Sequence, residues 1–429
     1  MVIENIQRSL VLFIALFCAA RSWNYDIGFN LFIFDIAAIL FIGISFVKLV
    51  FGNFKVNLHD KRLRIFVALL LFIFFVKLIS VIGLYTTGYS AESFSQYIVY
   101  MISELVHIIF FIFLIVYLTQ VSRHNRSMVV SYFVFGGVLS SIYGLTHYYF
   151  MMNGVDIDPN IWGVISNSHA SDMERYMSYS MNGIYRGKGF AGSNATATYY
   201  VTIIPLLFLF LLIGKGFKKF KYSVYLLLVV SSLLIIMSRV GISATMLSLF
   251  LFLFFSGRKK ILIYTILIFS FSLYMLALNL NIDTLESIIS SRVNTDTDRY
   301  LLFEGALNFF LENPFFGSGA NNYSQYAIES NNRLLHDENL HSSWMTILFE
   351  TGIFGFISHI LIFLYAIKKT YRVDSIYSKP YIASLLALIL AGFGNQLFDL
   401  FYFQFFFIIM FSIIISCDST KPSLYGLKS

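Results

Sequence analysis

Charged residues are scarce in this chain. Asp, Glu, Lys and Arg make up 12% of its 429 residues, whereas a soluble domain carries about 25%. Hydrophobic residues reach 58%, the mean hydropathy is +0.75, and prolines number 5. This composition excludes an ordinary soluble domain and is typical of an integral membrane protein.

Cysteines and metal-binding patterns are equally sparse. Cys18 and Cys417 are the only cysteines and lie near opposite ends of the chain, so the sequence predicts neither a disulfide nor a cysteine metal site. It contains no spacing of the HExxH type and no nucleotide-binding glycine loop. The net charge of +7 lies in the connections between apolar runs, which indicates membrane topology rather than nucleic-acid binding. We therefore expect no metal, no cofactor and no nucleic-acid partner.

Long apolar runs dominate what the chain does contain. A helix needs about 20 apolar residues to cross the hydrocarbon core, and twelve runs approach that length. Several are short or nearly adjacent, so eleven to thirteen spans fit the sequence. We predict an all-α fold, a polytopic membrane helical bundle of about 12 transmembrane helices that forms a single domain over residues 1–429. The runs cover 9–23, 28–51, 64–85, 96–121, 127–152, 191–214, 222–237, 240–256, 261–279, 342–367, 380–397 and 399–416.

Basic side chains concentrate in alternate connections, near residues 55–64, 123–126, 215–221, 258–260 and 368–379. The positive-inside rule places these connections and both termini in the cytoplasm. Two long loops, 153–190 and 280–341, then lie outside. The second contains an amphipathic run from Arg299 to Leu311, which predicts a helix at the membrane surface. Asp298 is a suitable N-cap for this helix, and Asn313-Pro314 ends it.

A histidine closes the second outer loop. His341 lies at the start of the tenth span, and a helix N-terminus disfavours the imidazolium form. A neutral imidazole can accept a proton from a sugar hydroxyl. The alternative is a capping or interfacial histidine in a polar loop. Ser342 follows, and Gly352 and Gly355 are spaced one turn apart, which predicts close approach of another helix.

Cationic residues fall on the same outer side. Arg186 and Lys188 lead into the sixth span, whose first turn contains Asn194; such a helix start suits an anion, although a solvated flank is the alternative. Arg239 lies between two apolar runs, where it needs a partner or a cavity. Arg299 begins the amphipathic helix. A base beside several cations suits a reaction whose leaving group is a lipid-linked diphosphate.

Ionisable residues also occur within the spans. Asp35 and Lys77 lie at similar depth in spans of opposite direction, so we predict that they pair, more as a structural ion pair than as part of a site. Glu104 and Asp399 lie in the same outer half. Charges within a membrane mark cavities, so the sequence predicts a cavity that opens to the outer side.

These motifs together resemble the O-antigen ligase and O-antigen polymerase superfamily. His341-Ser342, nine intervening residues and Gly352-Ile-Phe-Gly355 fit the ligase motif. The segment from Arg299 to Gly319 is similar to the shared domain of that family, as are Arg186 with its downstream Gly-Phe and Ser-Asn pairs and the Ser238-Arg239 pair. The resemblance covers residues 185–365, which we expect to form an O-antigen ligase-like core.

The resemblance implies a metal-independent, inverting glycosyltransferase at the periplasmic face of the bacterial inner membrane. The donor would be a glycan on undecaprenyl diphosphate, with His341 as general base. Arg186, Arg239 and Arg299 would bind the diphosphate, aided by Lys188 and Asn194.

The sequence does not determine which molecule accepts the glycan. A polymerase would use another lipid-linked repeat unit, with a chain-length regulator as a further partner, and a ligase would use a lipid A–core sugar. Phe356-Ile357 replaces small polar residues frequent in ligases, which slightly favours polymerase. A polysaccharide flippase is the third alternative, but the sequence lacks the related halves expected of a transporter.

Overall fold

The computed structural model describes residues 2–20, 24–26, 30–52, 60–87, 91–153, 157, 188–190, 193–258, 260–261, 299–329 and 340–418. This part of the chain is helical, apart from one antiparallel hairpin of three-residue strands that joins the first two helices. The elements are α1 Val2–Phe17, β1 Asn24–Asp26, β2 Asn30–Phe32, α2 Ile33–Val50, α3 Lys61–Ile79, α4 Val81–Thr86, α5 Ala91–Gln120, α6 Arg123–Met152, α7 Ser193–Ile213, α8 Phe217–Ile236, α9 Arg239–Phe255, α10 over 299–312, α11 Tyr323–Glu329, α12 Ser343–Tyr371, α13 Ser378–Ala391 and α14 Phe401–Asp418.

Local side-chain caps set several helix starts. The Asp60 carboxylate accepts a hydrogen bond of 2.7 Å from the Arg62 backbone N–H at the start of α3. Serines occupy the same position before α6, α9 and α12, where each hydroxyl accepts from a backbone N–H in the first turn. Such caps satisfy donors that the helix itself leaves unpaired.

The centre of the bundle is formed by helices that are apolar on every side. Nearly all of α14 is buried, as are most residues of α7 and α13. Aromatic rings fill the space around α14, with Phe66 of α3 stacked on Phe411 at 4.2 Å between ring centroids. Outer helices instead expose large apolar side chains, such as Phe217 at 80%. A helix buried all round and an apolar outer surface are expected for a membrane bundle.

Six described helices are long and apolar enough to cross a membrane, and three shorter apolar helices accompany them. By length and composition these helices fit a polytopic helical membrane protein, and the number of about 12 spans stays a prediction. The ninth predicted span, 261–279, lies outside the described residues except for residue 261. Two details differ from expectation. The hairpin departs from an all-α fold, and the run 380–397 leaves its helix at Ala391 because Gly392 and Gly394 follow.

Three of the basic connections, those before α3, α6 and α13, lie together at one end of the bundle. The Tyr365 hydroxyl, near the end of α12, donates to the Arg62 carbonyl at the start of α3. Tyr377, before α13, lies 3.3 Å from the Ser127 hydroxyl at the start of α6. The first turn of α12, which follows His341, therefore lies at the opposite end, as the alternation of charge predicts.

Candidate active site

His341 has an unusual backbone. Its φ of +52° lies in the left-handed region, which few non-glycine residues adopt and which marks a position worth attention. Ser342 follows as the N-cap of α12, and its hydroxyl accepts from the Met345 N–H at 3.3 Å. His341 itself is half-buried. The imidazole is therefore attached just outside a capped helix.

The start of α12 is bound to residues 392–400, which we name the α13–α14 loop. The Ser343 N–H donates to the carbonyls of Gly392 and Asn395, at 2.8 and 3.1 Å. The Ser343 hydroxyl accepts from the Leu397 N–H at 2.6 Å and donates to the Asn395 carbonyl at 3.0 Å. Ser343, two residues after His341, is thus fixed by these four hydrogen bonds and by a fifth, which the Phe398 N–H donates to its hydroxyl at 3.4 Å.

The Gly352 end of the motif breaks the helix. Gly352 has φ +63° and ψ −159°, a combination that is essentially limited to glycine. Residues 313–322, which we name the docking segment, pack against α12 at this break. The Ile353 N–H donates to the Pro314 carbonyl at 2.8 Å, and the Ser318 N–H donates to the Phe349 carbonyl at 2.8 Å. A Cβ on Gly352 would overlap the backbone of Phe315.

The prediction that another helix approaches closely at Gly352 is therefore wrong. A non-helical segment approaches instead, because only an irregular backbone can pair with the carbonyls and N–H groups that the break leaves free. Gly355 is helical and buried, and a Cβ there would meet the Thr351 side chain of the same helix. The break serves the packing of the docking segment, which differs from the midplane breaks by which transporters bind substrate.

Arg239 is the first residue of α9 and is exposed. α8 ends at Met237 in the left-handed conformation, and Ser238 caps α9 directly. The adjacent Val240 lies against Gly394 of the α13–α14 loop, so closely that a Cβ on Gly394 would come within 2.8 Å of it. The α13–α14 loop therefore contacts both the helix start that carries Arg239 and the helix start that follows His341.

Asn194 belongs to the first turn of α7, on the same side. Gly241 of α9 lies directly against Ala197, one turn from Asn194, and a Cβ on Gly241 would overlap Ala197. Glycine at this position lets the starts of α7 and α9 approach closely. Asn194 and Arg239 are consequently brought into one region by backbone packing.

Lys188 is 4% exposed and its segment is held against α6. The Phe190 N–H donates to the Ser140 hydroxyl at 3.1 Å, and the Lys188 carbonyl lies against Gly144, where a Cβ would overlap it. The alternative of a solvated flank is thus wrong for Lys188, because the segment packs between α6 and α7. Arg186 lies outside the described residues.

Arg299 begins α10 and is half-buried. The apolar face of α10 packs on α12 and on the residue before His341, through a cluster that contains Leu302, Phe309, Leu340 and Phe349. The Phe309 and Phe349 rings stack at 4.2 Å between centroids. The amphipathic helix therefore packs against α12, the helix that carries the glycines of the motif.

The intramembrane ion pairs differ from the prediction. Lys77 Nζ lies 3.0 Å from Glu104 Oε2 and 2.9 Å from Asp399 Oδ1, whereas Asp35 Oδ1 lies 2.8 Å from His107 Nε2. The expected Asp35–Lys77 pair is wrong, because matching depth along the membrane normal says nothing about which way each helix faces. Lys77, Glu104 and Asp399 line a cavity of about 70 Å³, which is room for roughly two waters. Its polar wall consists of Lys77, Glu104, His107, His359, Asp399 and Gln404.

Several residues of this region were not singled out from sequence, chiefly Ser343, Glu350 and Asn395. The Glu350 carboxylate accepts from the backbone N–H groups of Asn321 and Tyr323, at 2.8 and 3.3 Å, and so holds the docking segment. The Gly-Phe-Gly-Asn-Gln interruption at 392–396 was the available signal for the α13–α14 loop. Among the described residues, no three His, Cys, Asp or Glu side chains cluster as metal ligands would.

The region from α8 to the middle of α12 thus combines a histidine before a capped helix, a glycine break and an arginine at a helix start. Residues 224–360 match the O-antigen ligase family. This match confirms the resemblance to the O-antigen ligase and polymerase superfamily and supports a glycosyltransferase-type enzyme of lipopolysaccharide synthesis. The matched range contains Arg239, Arg299 and the histidine–glycine motif, and excludes Lys188 and Asn194. A search of curated proteins gave no significant match.

Proposed function

We propose that this protein transfers a glycan from undecaprenyl diphosphate to a sugar hydroxyl at the periplasmic face of the bacterial inner membrane. One observation carries the proposal: the α13–α14 loop contacts both the start of α12, beside His341, and the start of α9, beside Arg239. A base and a cation from distant parts of the chain are thereby attached to one short piece of backbone.

The proposed reaction is an inverting displacement that needs no metal. The acceptor hydroxyl oxygen attacks the anomeric carbon, the bond from that carbon to the diphosphate oxygen breaks, and His341 accepts the hydroxyl proton. Arg239 stabilises the negative charge that develops on the leaving diphosphate. Arg186, Lys188, Asn194 and Arg299 complete the proposed diphosphate and substrate site.

The left-handed backbone of His341 supports this role. His341 precedes the N-cap Ser342 and so lies outside the helix, with a left-handed φ. A functional residue in a sparsely populated conformation persists only where neighbours enforce it. Here Ser342 and Ser343 supply that constraint, since both bond the α13–α14 loop.

The acceptor distinguishes polymerase from ligase. The sequence departure at Phe356-Ile357 favours polymerase, but the Phe356 ring packs on Trp344 at 5.3 Å between centroids, and Ile357 is 46% exposed on the outer face of α12. Packing and lipid contact account for both residues. The family match is described as ligase. The proposed site chemistry is common to both activities. The identity of the acceptor must therefore be determined from the product that the enzyme makes.

A deletion strain, with wild type or variant supplied in trans, tests the proposal. Lipopolysaccharide with core plus a single repeat unit indicates loss of a polymerase, and bare core with accumulated lipid-linked polymer indicates loss of a ligase. His341→Asn is the decisive variant, because asparagine tolerates a left-handed φ but cannot act as a base.

We expect His341→Asn to lower the product by about 10²–10⁴-fold while the protein accumulates in the membrane at the wild-type level. Full product from this variant would show that His341 is not the base. Normal lipopolysaccharide in the deletion strain would remove the whole proposed function. Reporter fusions at the basic connections, expected to give a cytoplasmic signal, test the orientation.

A further inference from the structure

Lys77 is the centre of a buried charge cluster near the end of α3. Its ammonium group contacts the Glu104 and Asp399 carboxylates and donates to the Tyr100 hydroxyl at 2.6 Å. The Lys77 residue is 6% exposed. A charge so far from water is costly unless it is paired. The arrangement therefore fixes α3, α5 and the α13–α14 loop relative to one another.

Asp399 belongs to the same loop that binds the start of α12. The Phe398 N–H, next to Asp399, donates to the Ser343 hydroxyl at 3.4 Å, and the Leu397 N–H donates to it at 2.6 Å. Ser343 lies two residues after His341. A short path of one ion pair, two residues of backbone and two hydrogen bonds thus runs from Lys77 to the motif.

The same turn of α3 also holds the docking segment. The Ser80 hydroxyl donates to the Lys77 carbonyl at 2.6 Å and accepts from the Ala320 N–H at 2.9 Å. Gly83 lies directly against the Gly317 carbonyl, where a Cβ would overlap it. The end of α3 therefore contacts both segments that grip α12, one at its N-terminus and one at its break.

We propose that Lys77 is a positioning residue: through Asp399 it holds the α13–α14 loop, and the loop fixes His341 relative to Arg239. Lys77 and Asp399 both lie outside the matched range 224–360. The proposal that the loop is held in place is independent of the reaction. Its consequence for catalysis rests on the proposed function.

If the cluster only stabilised the fold, the expected order of the effects of losing Glu104 and Asp399 would be reversed. The Glu104 side chain is 11% exposed and the Asp399 side chain is 49% exposed. If the ion pairs contributed only stability, the more buried Glu104 would matter more, since exposed pairs contribute little. If the cluster positions the loop, Asp399 matters more, because Glu104 belongs to α5 and not to the loop.

The test compares Asp399→Asn with Glu104→Gln, each of which leaves Lys77 one carboxylate partner. Hydrogen exchange of backbone amides is measured on the purified full chain in nanodiscs, at residues 343–345 and 397–398. Glycan product is measured in the complemented deletion strain. Lys77→Arg serves as the conservative variant, and Lys77→Met removes the charge.

We expect Asp399→Asn to speed exchange at these amides by about tenfold and to lower product by roughly 10²-fold, as small misplacement of a reacting group does. Glu104→Gln should leave both within about threefold, although it should lower the thermal midpoint more. Lys77→Arg should retain wild-type exchange, and Lys77→Met should resemble Asp399→Asn.

Unchanged exchange in Asp399→Asn, or equal exchange in Asp399→Asn and Glu104→Gln, would overturn the positioning role. If Lys77→Met fails to accumulate, the two carboxylate variants still decide the question. Normal lipopolysaccharide in the deletion strain would instead overturn the proposed function, and the exchange measurements would still decide whether Lys77 positions the loop.

Discussion

Replacement of Gly352 by alanine tests the shape of the motif directly. The φ of +63° with ψ −159° costs a residue with a side chain about 1–3 kcal/mol. The added Cβ would also overlap the backbone of Phe315 and the Pro314 carbonyl, and such overpacking costs about 1–3 kcal/mol. Because the contacting atoms are backbone, they cannot rotate away. We expect Gly352→Ala to lower the free energy of unfolding by about 2–6 kcal/mol, the sum of the two effects.

Two matched variants isolate the cause. Gly43 lies within α2, and a Cβ there would meet nothing within 4 Å, so Gly43→Ala should be neutral or stabilising by about 0.5–1 kcal/mol. Gly355→Ala should fall between, because the Thr351 side chain that it would meet can move. Denaturant unfolding of the purified proteins in detergent measures all three. A Gly352→Ala protein as stable as wild type would show that the docking segment is not held in the break as described.

Three further predictions concern the site. Ser342→Ala should destabilise the protein by about 0.5–2 kcal/mol, the usual value of an N-cap, and unfolding by denaturant measures it; no change would show that the cap is dispensable. Arg239→Ala should lower product in the complementation assay by about 10²–10³-fold. Because Arg239 is exposed, the substitution should not lower the thermal stability. Lys221 is an exposed cation of α8, and the control variant Lys221→Ala should retain product. Lys188→Met should raise the donor concentration needed for half-maximal rate in a reconstituted assay, and an unaltered value would remove Lys188 from the diphosphate site.

The sequence was sufficient for the main helices and for the functional motifs. Apolar length predicts helices that the structure contains, since every backbone group in a bilayer must be paired. The alternating basic connections predict which helix ends share a side. The position of His341 and Ser342 before an apolar run predicts the helix start that α12 has, whereas the glycine spacing predicted only the close approach of another helix and not the break at Gly352. The helices and their starts are local properties, which the chain encodes within a few residues.

Contacts between distant segments were not predictable in the same way. Asp35 and Lys77 have matching depth, yet each pairs with another side chain, because sequence gives position along a helix but not the direction in which the helix faces its neighbours. The segment that fills the break at Gly352 also comes from far along the chain. Glycine spacing indicated close approach, but the irregular backbone of the approaching segment depends on the carbonyls that the break exposes.

The residues that fix the position of the histidine–glycine motif lie in other parts of the chain than the motif itself. The matched range 224–360 contains His341, Arg239 and Gly352, but the ion pair and loop that fix the start of α12 come from Lys77 and residues 392–400. A helix N-terminus that Ser342 and Ser343 hold to one loop by six hydrogen bonds can be no better placed than that loop. The loop in turn is tied by Asp399 to α3, which also holds the docking segment through Ser80. The geometry of the proposed base is therefore set by parts of the chain outside the motif, and residues 224–360 alone would lack the contacts that orient His341.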